Sequence, residues 1–414
     1  MNSTKLSIVK STAPVLKDHS REIGTRFYNL LFSSAPELYN MFNQTNQQRG
    51  LQQEALTYAV YAAGENLDHL KNIEPLIMRV AEKHVALGVK PDQYPIVGEA
   101  LLQAVKDVLG DKARDEVIDA WGEAYNTIAD AFINIEHDLY EGKEQKSGGW
   151  RGFRDFCVVK KVKETDLVTS FYLKPEDQQP ISSYEPGQYL TLKADIEGET
   201  YTHMRHYSLS DAPGKDYYRI SVKREEGNEK VPDGIVSNYL HHHVQEGDTL
   251  PFAVPAGDFS ISNEDLPVVL ISGGIGLTPL MSMLNTLAET GQSVTYIHAT
   301  QNSSVHAMKE HVEQLASEYQ NVNSYVCYDS PTARDRDMQN FDKEGFITLD
   351  WLKSILPSNQ ADFYFCGPVP FMKAVNKALK DWSVPEKQMH YEVFSPVSIL
   401  EEQKSEKPSV TTSR

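Results

Sequence analysis

The period of the hydrophobic pattern changes twice along the chain, and each change indicates a different kind of fold. Residues 1 to about 142 carry long helical patterns broken by proline and glycine, with no convincing strand. From Phe153 the period becomes two, in short runs separated by turns, which predicts a small antiparallel β-barrel. From Leu266 strands alternate with helices, which predicts a doubly wound α/β domain with a parallel sheet.

These changes predict a multidomain chain. We place an all-α domain at 1–147, the barrel at 148–263 and the α/β domain at 264–400. The last residues, 401–414, are charged and rich in serine and threonine, so we expect a disordered tail. The run 143–150 is polar and then glycine-rich, which predicts a hinge between the first two domains.

The net charge limits the partners that the protein can bind. The 414 residues carry a formal charge of -18, which repels nucleic acid and anionic lipid, so we expect neither nucleic-acid binding nor stable membrane association. No apolar segment resembles a signal peptide or a membrane span, and Cys157, Cys327 and Cys366 are far apart. A cytoplasmic protein with reduced thiols is therefore predicted. We expect a monomer.

One histidine of the all-α domain is a candidate metal ligand. A helix predicted from Pro75 places His84 on its apolar face near its end, where Gly88 and Pro91 stop the helix. An imidazole in such a position can bind haem iron. Taken alone, however, a histidine on an apolar face is more often a packed structural residue.

Two other helices carry polar side chains that would face the same cavity. Tyr28 follows Gly24 by one turn, and Gln52 shares a helix face with Leu56. A phenol and an amide there would donate hydrogen bonds to bound dioxygen, while Phe42 and Leu56 would keep the pocket apolar. The alternative for Tyr28 is an ordinary core tyrosine.

The run 204–210 alternates polar and apolar residues and predicts a strand with one face toward a ligand. Arg205 supplies a forked cation suited to phosphate, Tyr207 a flat ring and Ser208 a short hydroxyl, which together suit a flavin. An amphipathic strand without a ligand is the alternative. Downstream, Gly234 and Ser237 open a predicted helix whose free amides suit a diphosphate.

A glycine-rich turn follows the first strand of the α/β domain. The residues suited to holding a diphosphate there are Gly274, Ile275, Gly276, Leu277, Thr278 and Pro279. We predict that Thr278 caps the following helix and that Pro279 occupies its first turn. The next strand ends without an acidic residue or an arginine for the ribose, so NADH and NADPH both stay open. Cys366, at the end of a later strand, would contact the nicotinamide or be an inert packing thiol.

The all-α domain resembles the globin domain of bacterial flavohaemoglobins. The residues that carry the resemblance are Tyr28, Phe42, Gln52, Leu56, Lys83, His84 and the runs 89–94 and 131–136. Runs 184–189 and 205–208 are similar to the flavin-binding barrel of the ferredoxin-reductase superfamily, and the run 391–396 resembles its C-terminal flavin segment. The resemblance covers nearly the whole chain.

For the first domain, the resemblance implies a globin fold that holds haem b, with His84 as proximal iron ligand and Tyr28 and Gln52 as distal oxygen-stabilising groups. It also implies that Tyr94 and Glu136 form a charge relay behind the proximal ring. A carboxylate that accepts the second ring N–H makes imidazole a stronger electron donor. Without the resemblance, Glu136 would be interpreted as a solvated helix carboxylate.

For the barrel, the resemblance implies FAD, with Tyr207 and Ser208 on the isoalloxazine ring and Arg205 on the diphosphate. The other expected contact residues are Tyr189, His206, Gly234, Ser237, Glu392, Val393, Phe394, Ser395 and Pro396. Phe394 would cover the ring. Lys83 and Glu392 would be among the residues at the gap between flavin and haem.

The order of the domains predicts a path for electrons. A nicotinamide delivers two electrons as a hydride, haem iron accepts one at a time, and a flavin does both. The resemblance implies a nitric oxide dioxygenase, which converts nitric oxide and dioxygen to nitrate at a haem re-reduced by NAD(P)H through FAD. Two alternatives stay open: an oxygen-storage or oxygen-sensing globin with an attached haem reductase, and a general flavin, ferric or peroxide reductase.

Overall fold

The computed structural model describes residues 1–42, 51–227, 232–262 and 266–394, without the side chains of residues 51–55, 57 and 58. The chain divides into two compact units, Met1–Ile261 with Met281–Thr286, and Ser262–Leu280 with Leu287–Arg414. The predicted tail at 401–414 lies outside the described residues, as do Ser395 and Pro396.

The first unit begins with an all-α domain, as the helical periodicity predicted. Its α-helices are α1 (Ser3–Asp18), α2 (Ser20–Ser34), α3 (Leu51–Glu65), α4 (Glu74–Leu87), α5 (Tyr94–Leu109) and α6 (Asp115–Gln145). Gly88 ends α4 with φ 77°, a left-handed conformation that glycine adopts without a Cβ clash. The apolar faces meet in a core that includes Phe27, Leu31, Leu101 and Trp121. Because Gly88 ends α4, the predicted end of the helix that carries His84 is confirmed.

The last helix runs further than its polar composition predicted. Helix α6 continues through Gln145, so the prediction of a hinge from residue 143 is wrong for its first three residues. Lys143 is only 8% exposed, because its ammonium has a buried partner. A Cβ on Gly149 would lie 2.0 Å from the carbonyl oxygen of Lys143, so the chain needs glycine where it passes the helix end.

A six-stranded antiparallel sheet follows in the same unit. Its strands are β1 (Phe153–Lys163), β2 (Val168–Pro175), β3 (Tyr189–Ala194), β4 (His203–Ser208), β5 (Tyr218–Lys223) and β6 (Thr249–Ala253). The helix α7 (Ile235–His242) lies between β5 and β6 in the chain. The strand order is β4-β3-β6-β1-β2-β5. A bridge between Leu209, the residue after β4, and Ile220 of β5 joins the two edge strands, which closes the sheet into the predicted barrel.

The second unit contains a six-stranded parallel sheet, of order β10-β9-β8-β7-β11-β12. The strands are β7 (Val268–Gly273), β8 (Val294–Thr300), β9 (Val322–Tyr328), β10 (Lys343–Glu344), β11 (Asp362–Cys366) and β12 (Met389–Glu392). The helices between them are α8 (Leu277–Ala288), α9 (Lys309–Glu318), α10 (Ala333–Met338), α11 (Leu349–Ile355) and α12 (Val369–Asp381). The strand order reverses between β7 and β11, which is where doubly wound sheets bind ligands.

The start of α8 corrects one prediction. The helix begins at Leu277 with Gly276 in the capping position, so Thr278 lies inside the first turn and does not cap it. Its hydroxyl donates to the carbonyl oxygen of Ile275 at 3.1 Å. Pro279 does occupy the first turn, as predicted. Among the described residues, no helix is both long enough and apolar enough to cross a membrane.

Candidate functional site

The candidate haem site is built on α4 and completed by α5 and α6. His84 lies in the last turn of α4, and its Nδ1 is 2.6 Å from Oε1 of Glu136 on α6. The hydroxyl of Tyr94, at the start of α5, donates to the same oxygen at 2.5 Å. Glu136 is 3% exposed, so its carboxylate exchanges water for these two donors. The structure thus brings together the three residues that the sequence predicted.

The surroundings of Tyr94 keep its hydroxyl protonated. Burial, together with the neighbouring Glu136 carboxylate, raises the pKa of Tyr94 far above its ordinary value. The phenol is therefore held in its protonated form and donates to the carboxylate. Two further hydrogen bonds hold this corner of the domain: Tyr125 donates to the carbonyl of Tyr94 at 2.7 Å, and Tyr140 donates to the carbonyl of Val89 at 3.0 Å.

The distal candidates form an aromatic group. Tyr28 is buried, with its ring stacked on Phe32 at 5.7 Å between centroids. Phe27 and Phe42 meet the same ring edge-on at 4.8 and 5.5 Å. These contacts hold the phenol in one orientation. Leu56 packs against this core from α3, whereas the side chain of Gln52 lies outside the described residues.

The residues present fit a haem. Both hydrogen bonds of the His84 ring to described residues are made at Nδ1, which leaves Nε2 as the nitrogen for iron. The His84 side chain is 32% exposed, so the ring is open to a ligand although its helix is packed. An imidazole oriented by a carboxylate through its second nitrogen is the usual arrangement at protein metal sites.

The candidate flavin site lies on β4 and its partner β3. Tyr189 of β3 pairs with Ser208, and Leu190 pairs with Tyr207. The guanidinium of Arg205 donates to the carbonyl of Met204 at 2.7 Å, and among the described residues it forms no ion pair. Burial lowers the pKa of Arg205, since its charge is removed from water. A half-buried cation without a carboxylate fits a diphosphate, which would supply the missing negative charge.

His206 lies on the opposite face of β4 and contacts side chains of β3. His206 accepts or donates at Nδ1 with the hydroxyl of Thr191 at 2.8 Å, and its ring lies 4.6 Å from that of Tyr189. Alternation along the strand therefore separates His206 from Arg205 and Tyr207. Ser237, in the first turn of α7, donates to the carbonyl oxygen of Gly234 at 3.2 Å, so its hydroxyl forms a hydrogen bond at the start of the helix.

The C-terminal segment is described only in part. Glu392 ends β12, and Val393 packs against the core of the α/β domain. Phe394 is 53% exposed, an unusual state for a large apolar ring and one that leaves it open to cover a ligand. Lys83 is half-buried on α4 next to His84.

The glycine-rich turn of the α/β domain packs tightly. A Cβ on Gly276 would lie 2.2 Å from the carbonyl oxygen of Cys366, so only glycine fits between the ends of β7 and β11. A Cβ on Gly273 would lie 2.9 Å from the ring of Phe371. The thiol of Cys366 is fully buried, and burial raises its pKa well above the ordinary value, so it stays protonated.

Sequence reasoning missed a buried ion pair next to the haem site. Glu82 lies two residues before His84, and its carboxylate is 3.0 Å from Nζ of Lys143. No local pattern indicated this pair, because Glu82 resembles a surface residue of a helix and Lys143 lies in a polar run. Only the packing of α4 against the end of α6 brings them together.

Comparisons with known proteins agree with this architecture. The Globin family model matches residues 25–132, the Oxidoreductase FAD-binding domain model matches 155–261, and the Oxidoreductase NAD-binding domain model matches 270–377. The flavohemoprotein of Bacillus cereus is 57% identical over 404 residues, covering 97% of this chain and 100% of that protein.

Solved structures show the same fold. The crystal structure of a flavohemoglobin from Malassezia yamatoensis with bound FAD and haem has a TM-score of 0.83 at 24% identity, covering 95% of this chain and 99% of that chain. The flavohem-like FAD/NAD-binding domain of a nitric oxide dioxygenase from Vibrio cholerae has a TM-score of 0.53 at 40% identity, covering 58% of this chain and 98% of that chain.

The fold and the site define a haem-binding globin joined to an oxidoreductase module with FAD-binding and NAD-binding domains. The chain belongs to the flavohemoprotein family, the flavohaemoglobins. Its cofactors are therefore haem, FAD and a nicotinamide nucleotide, and its globin domain takes small gas molecules.

Proposed function

We propose that the chain is a nitric oxide dioxygenase, which converts nitric oxide and dioxygen to nitrate with electrons from NAD(P)H. The observation that carries the proposal is the buried Glu136 carboxylate 2.6 Å from Nδ1 of His84, in a globin joined to a reductase. A carboxylate there increases the electron donation of the imidazole. Strong donation suits oxygen activation better than reversible storage.

Some residues of the chain would bind the cofactors, and others would stabilise bound dioxygen. When bound, nicotinamide supplies a hydride, flavin divides it into single electrons, and haem iron takes them one at a time. Arg205 would hold the FAD diphosphate and Tyr207 would lie against its ring, while Gly276 would let the nicotinamide nucleotide approach the backbone. Tyr28 and Gln52 would donate hydrogen bonds on the distal side, within apolar walls that exclude water.

The reduced state of the cysteines supports a cytoplasmic location. Cys157, Cys327 and Cys366 are all free thiols, and none of them is placed in a disulfide. Free buried thiols persist in a reducing compartment, which is also where NAD(P)H is available. We therefore include the cytoplasm in the proposal.

Oxygen release distinguishes a dioxygenase from an oxygen store. We expect Tyr28→Phe to release dioxygen from the ferrous protein about tenfold faster than the parent chain, since one hydrogen bond of about 1.4 kcal/mol is lost. Stopped-flow mixing with an oxygen scavenger measures the rate. Tyr39→Phe is the matched control, because Tyr39 stacks on Phe32 at 3.9 Å in the same aromatic group but is not a distal candidate.

Two results would count against the proposal. Rapid oxygen release from the parent chain fits a carrier, because a dioxygenase must hold dioxygen until nitric oxide arrives. If Tyr28→Phe releases dioxygen at the parent rate, the phenol does not stabilise it, and the distal role of Tyr28 is wrong.

A further inference from the structure

An ion pair between two charged side chains is buried where the all-α domain meets the barrel. Oε2 of Glu82 lies 3.0 Å from Nζ of Lys143, and each side chain is 11% exposed. Glu82 belongs to α4, two residues before His84, and Lys143 belongs to the last turns of α6. The pair therefore ties the haem-site helix to the end of the globin domain.

Both members of the pair also bind one loop of the barrel. The backbone amide of Gly257 donates to Oε2 of Glu82 at 3.1 Å, and Nζ of Lys143 donates to the carbonyl oxygen of Pro255 at 2.9 Å. One turn earlier on α4, Nε of Arg79 lies 3.6 Å from Oδ2 of Asp258. Thus α4 and α6 together hold residues 255–258 by their backbone and by charge.

The same loop supports the candidate flavin strand. Ala256 exchanges two backbone hydrogen bonds with Tyr189 of β3, at 2.9 and 3.0 Å. Ala86, two residues after His84 on α4, packs with Tyr189 and Ala256 in a small buried cluster. Tyr189 in turn pairs with Ser208 of β4. A continuous set of contacts therefore runs from the haem-site helix to the strand that would hold the flavin.

A buried ion pair is a poor choice for stability alone. Removing two charges from water costs about as much as their attraction returns, and uncharged side chains of similar size often stabilise a fold equally well. A charged pair instead favours one arrangement of the packed segments. If α4, α6 or the loop shifts, a buried charge or a backbone group loses its partner. Such a pair suits a contact whose geometry matters more than its strength.

We propose that Glu82, Lys143 and the loop 255–257 form a clamp that sets the relative position of the flavin and haem sites. Glu82 and Lys143 are positioning residues: they do not touch the reacting atoms but control the rate of electron transfer from FAD to haem. The inference rests on the proposed electron path of the previous section. Misplacing groups that form a bond by about 1 Å costs on the order of 100-fold in rate. Electron transfer between cofactors forms no bond and depends less steeply on distance, so loosening the clamp should slow haem reduction by about tenfold.

The test uses the holoprotein with haem and FAD and four variants. These are Glu82→Gln, Lys143→Met, the double variant with both changes, and Lys10→Met as matched control. Lys10 also loses an ion pair in the control, with Asp68 at 2.6 Å, but that pair is on the surface of the globin domain. Stopped-flow absorbance after mixing with NADH under anaerobic conditions measures FAD reduction and haem reduction as separate rates. Thermal unfolding and amide hydrogen exchange of residues 254–258 are measured on the same samples.

The clamp predicts a specific combination of results. FAD reduction stays at the parent rate in all variants, while haem reduction slows by at least about tenfold in both single variants and in the double variant. Hydrogen exchange at 254–258 becomes faster in the variants that lack Lys143. The double variant recovers most of the unfolding temperature lost by the single variants, because it leaves no unpaired buried charge, yet its haem reduction remains slow. Lys10→Met matches the parent in every measurement.

Two other outcomes are distinguishable. If the parent chain reduces its haem normally and the variants do so within about twofold while losing stability, the pair is merely structural and the clamp is wrong. If NADH reduces FAD but never the haem in the parent chain, the proposed electron path itself fails.

Discussion

Replacing His84 with alanine should abolish nitrate formation, with a loss of at least about 100-fold, because the variant lacks the nitrogen that binds iron. The neighbouring groups offer no substitute: Glu136 and Tyr94 lie behind the ring, where they bind Nδ1. We expect a changed visible spectrum and a reduced haem content in the purified variant. FAD content and the rate of FAD reduction by NADH should stay at the parent values, since the barrel and the α/β domain are untouched.

His137→Ala is the control for that experiment. His137 is exposed on α6, immediately after Glu136, so its loss removes an imidazole from the same region without touching the site. Free imidazole added to His84→Ala should restore part of the parent spectrum by filling the space left by the side chain. A variant that keeps its haem with an unchanged spectrum and the same axial nitrogen would show that another residue binds the iron.

Glu136→Gln should raise the midpoint potential of the haem. The amide keeps the size of the side chain and an acceptor oxygen for both Tyr94 and His84, but it lacks the negative charge that strengthens the imidazole as a donor. A weaker donor stabilises the oxidised iron less. We expect a shift of about tenfold in the redox equilibrium, roughly 60 mV for one electron, and a fall in nitrate turnover of about 10-fold to 100-fold.

Spectroelectrochemical titration measures the midpoint potential of the haem. A second variant at the same site, Tyr94→Phe, is the control. Tyr94→Phe removes one donor to the carboxylate and leaves the charge, so it should change the potential in the opposite direction or very little. An unchanged potential in Glu136→Gln, with normal haem content, would mean that the carboxylate holds the ring in place and does not tune it.

The fold class, and His84 as a candidate haem ligand, could be predicted from the sequence because both depend on local patterns. The change of period at Phe153 and again at Leu266 follows from the alternation of side chains in strands and helices. His84 is recognisable because the apolar stripe of α4 and the stop at Gly88 are contiguous in the chain. Glu136 is different: its burial depends on α6 crossing behind α4, and only the family resemblance directed attention to it.

Two features could not be predicted from the sequence. One depends on contacts between residues far apart in the chain, and the other on a shift of a helix end by a few residues. The polar neighbours of Lys143 predict a hinge, but a lysine can be buried where a carboxylate pairs with its charge and a carbonyl oxygen accepts a hydrogen bond from it. The residue type of Thr278 predicts a helix cap at that position. The helix starts two residues earlier, with Gly276 as its cap, at a position where a Cβ would meet the carbonyl oxygen of Cys366. Neither contact partner is near in sequence.

We propose that electrons from nicotinamide reach a haem held by His84, where nitric oxide and dioxygen become nitrate. Joining one nitric oxide and one dioxygen as nitrate takes one electron, so each NADH should support about two nitrate ions. The direct measurement is the amount of nitrate formed per NADH oxidised when the holoprotein receives nitric oxide in aerated buffer. We predict a ratio of about two, with nitric oxide fully consumed. NADH oxidation that leaves nitric oxide unconverted and yields no nitrate would contradict the account.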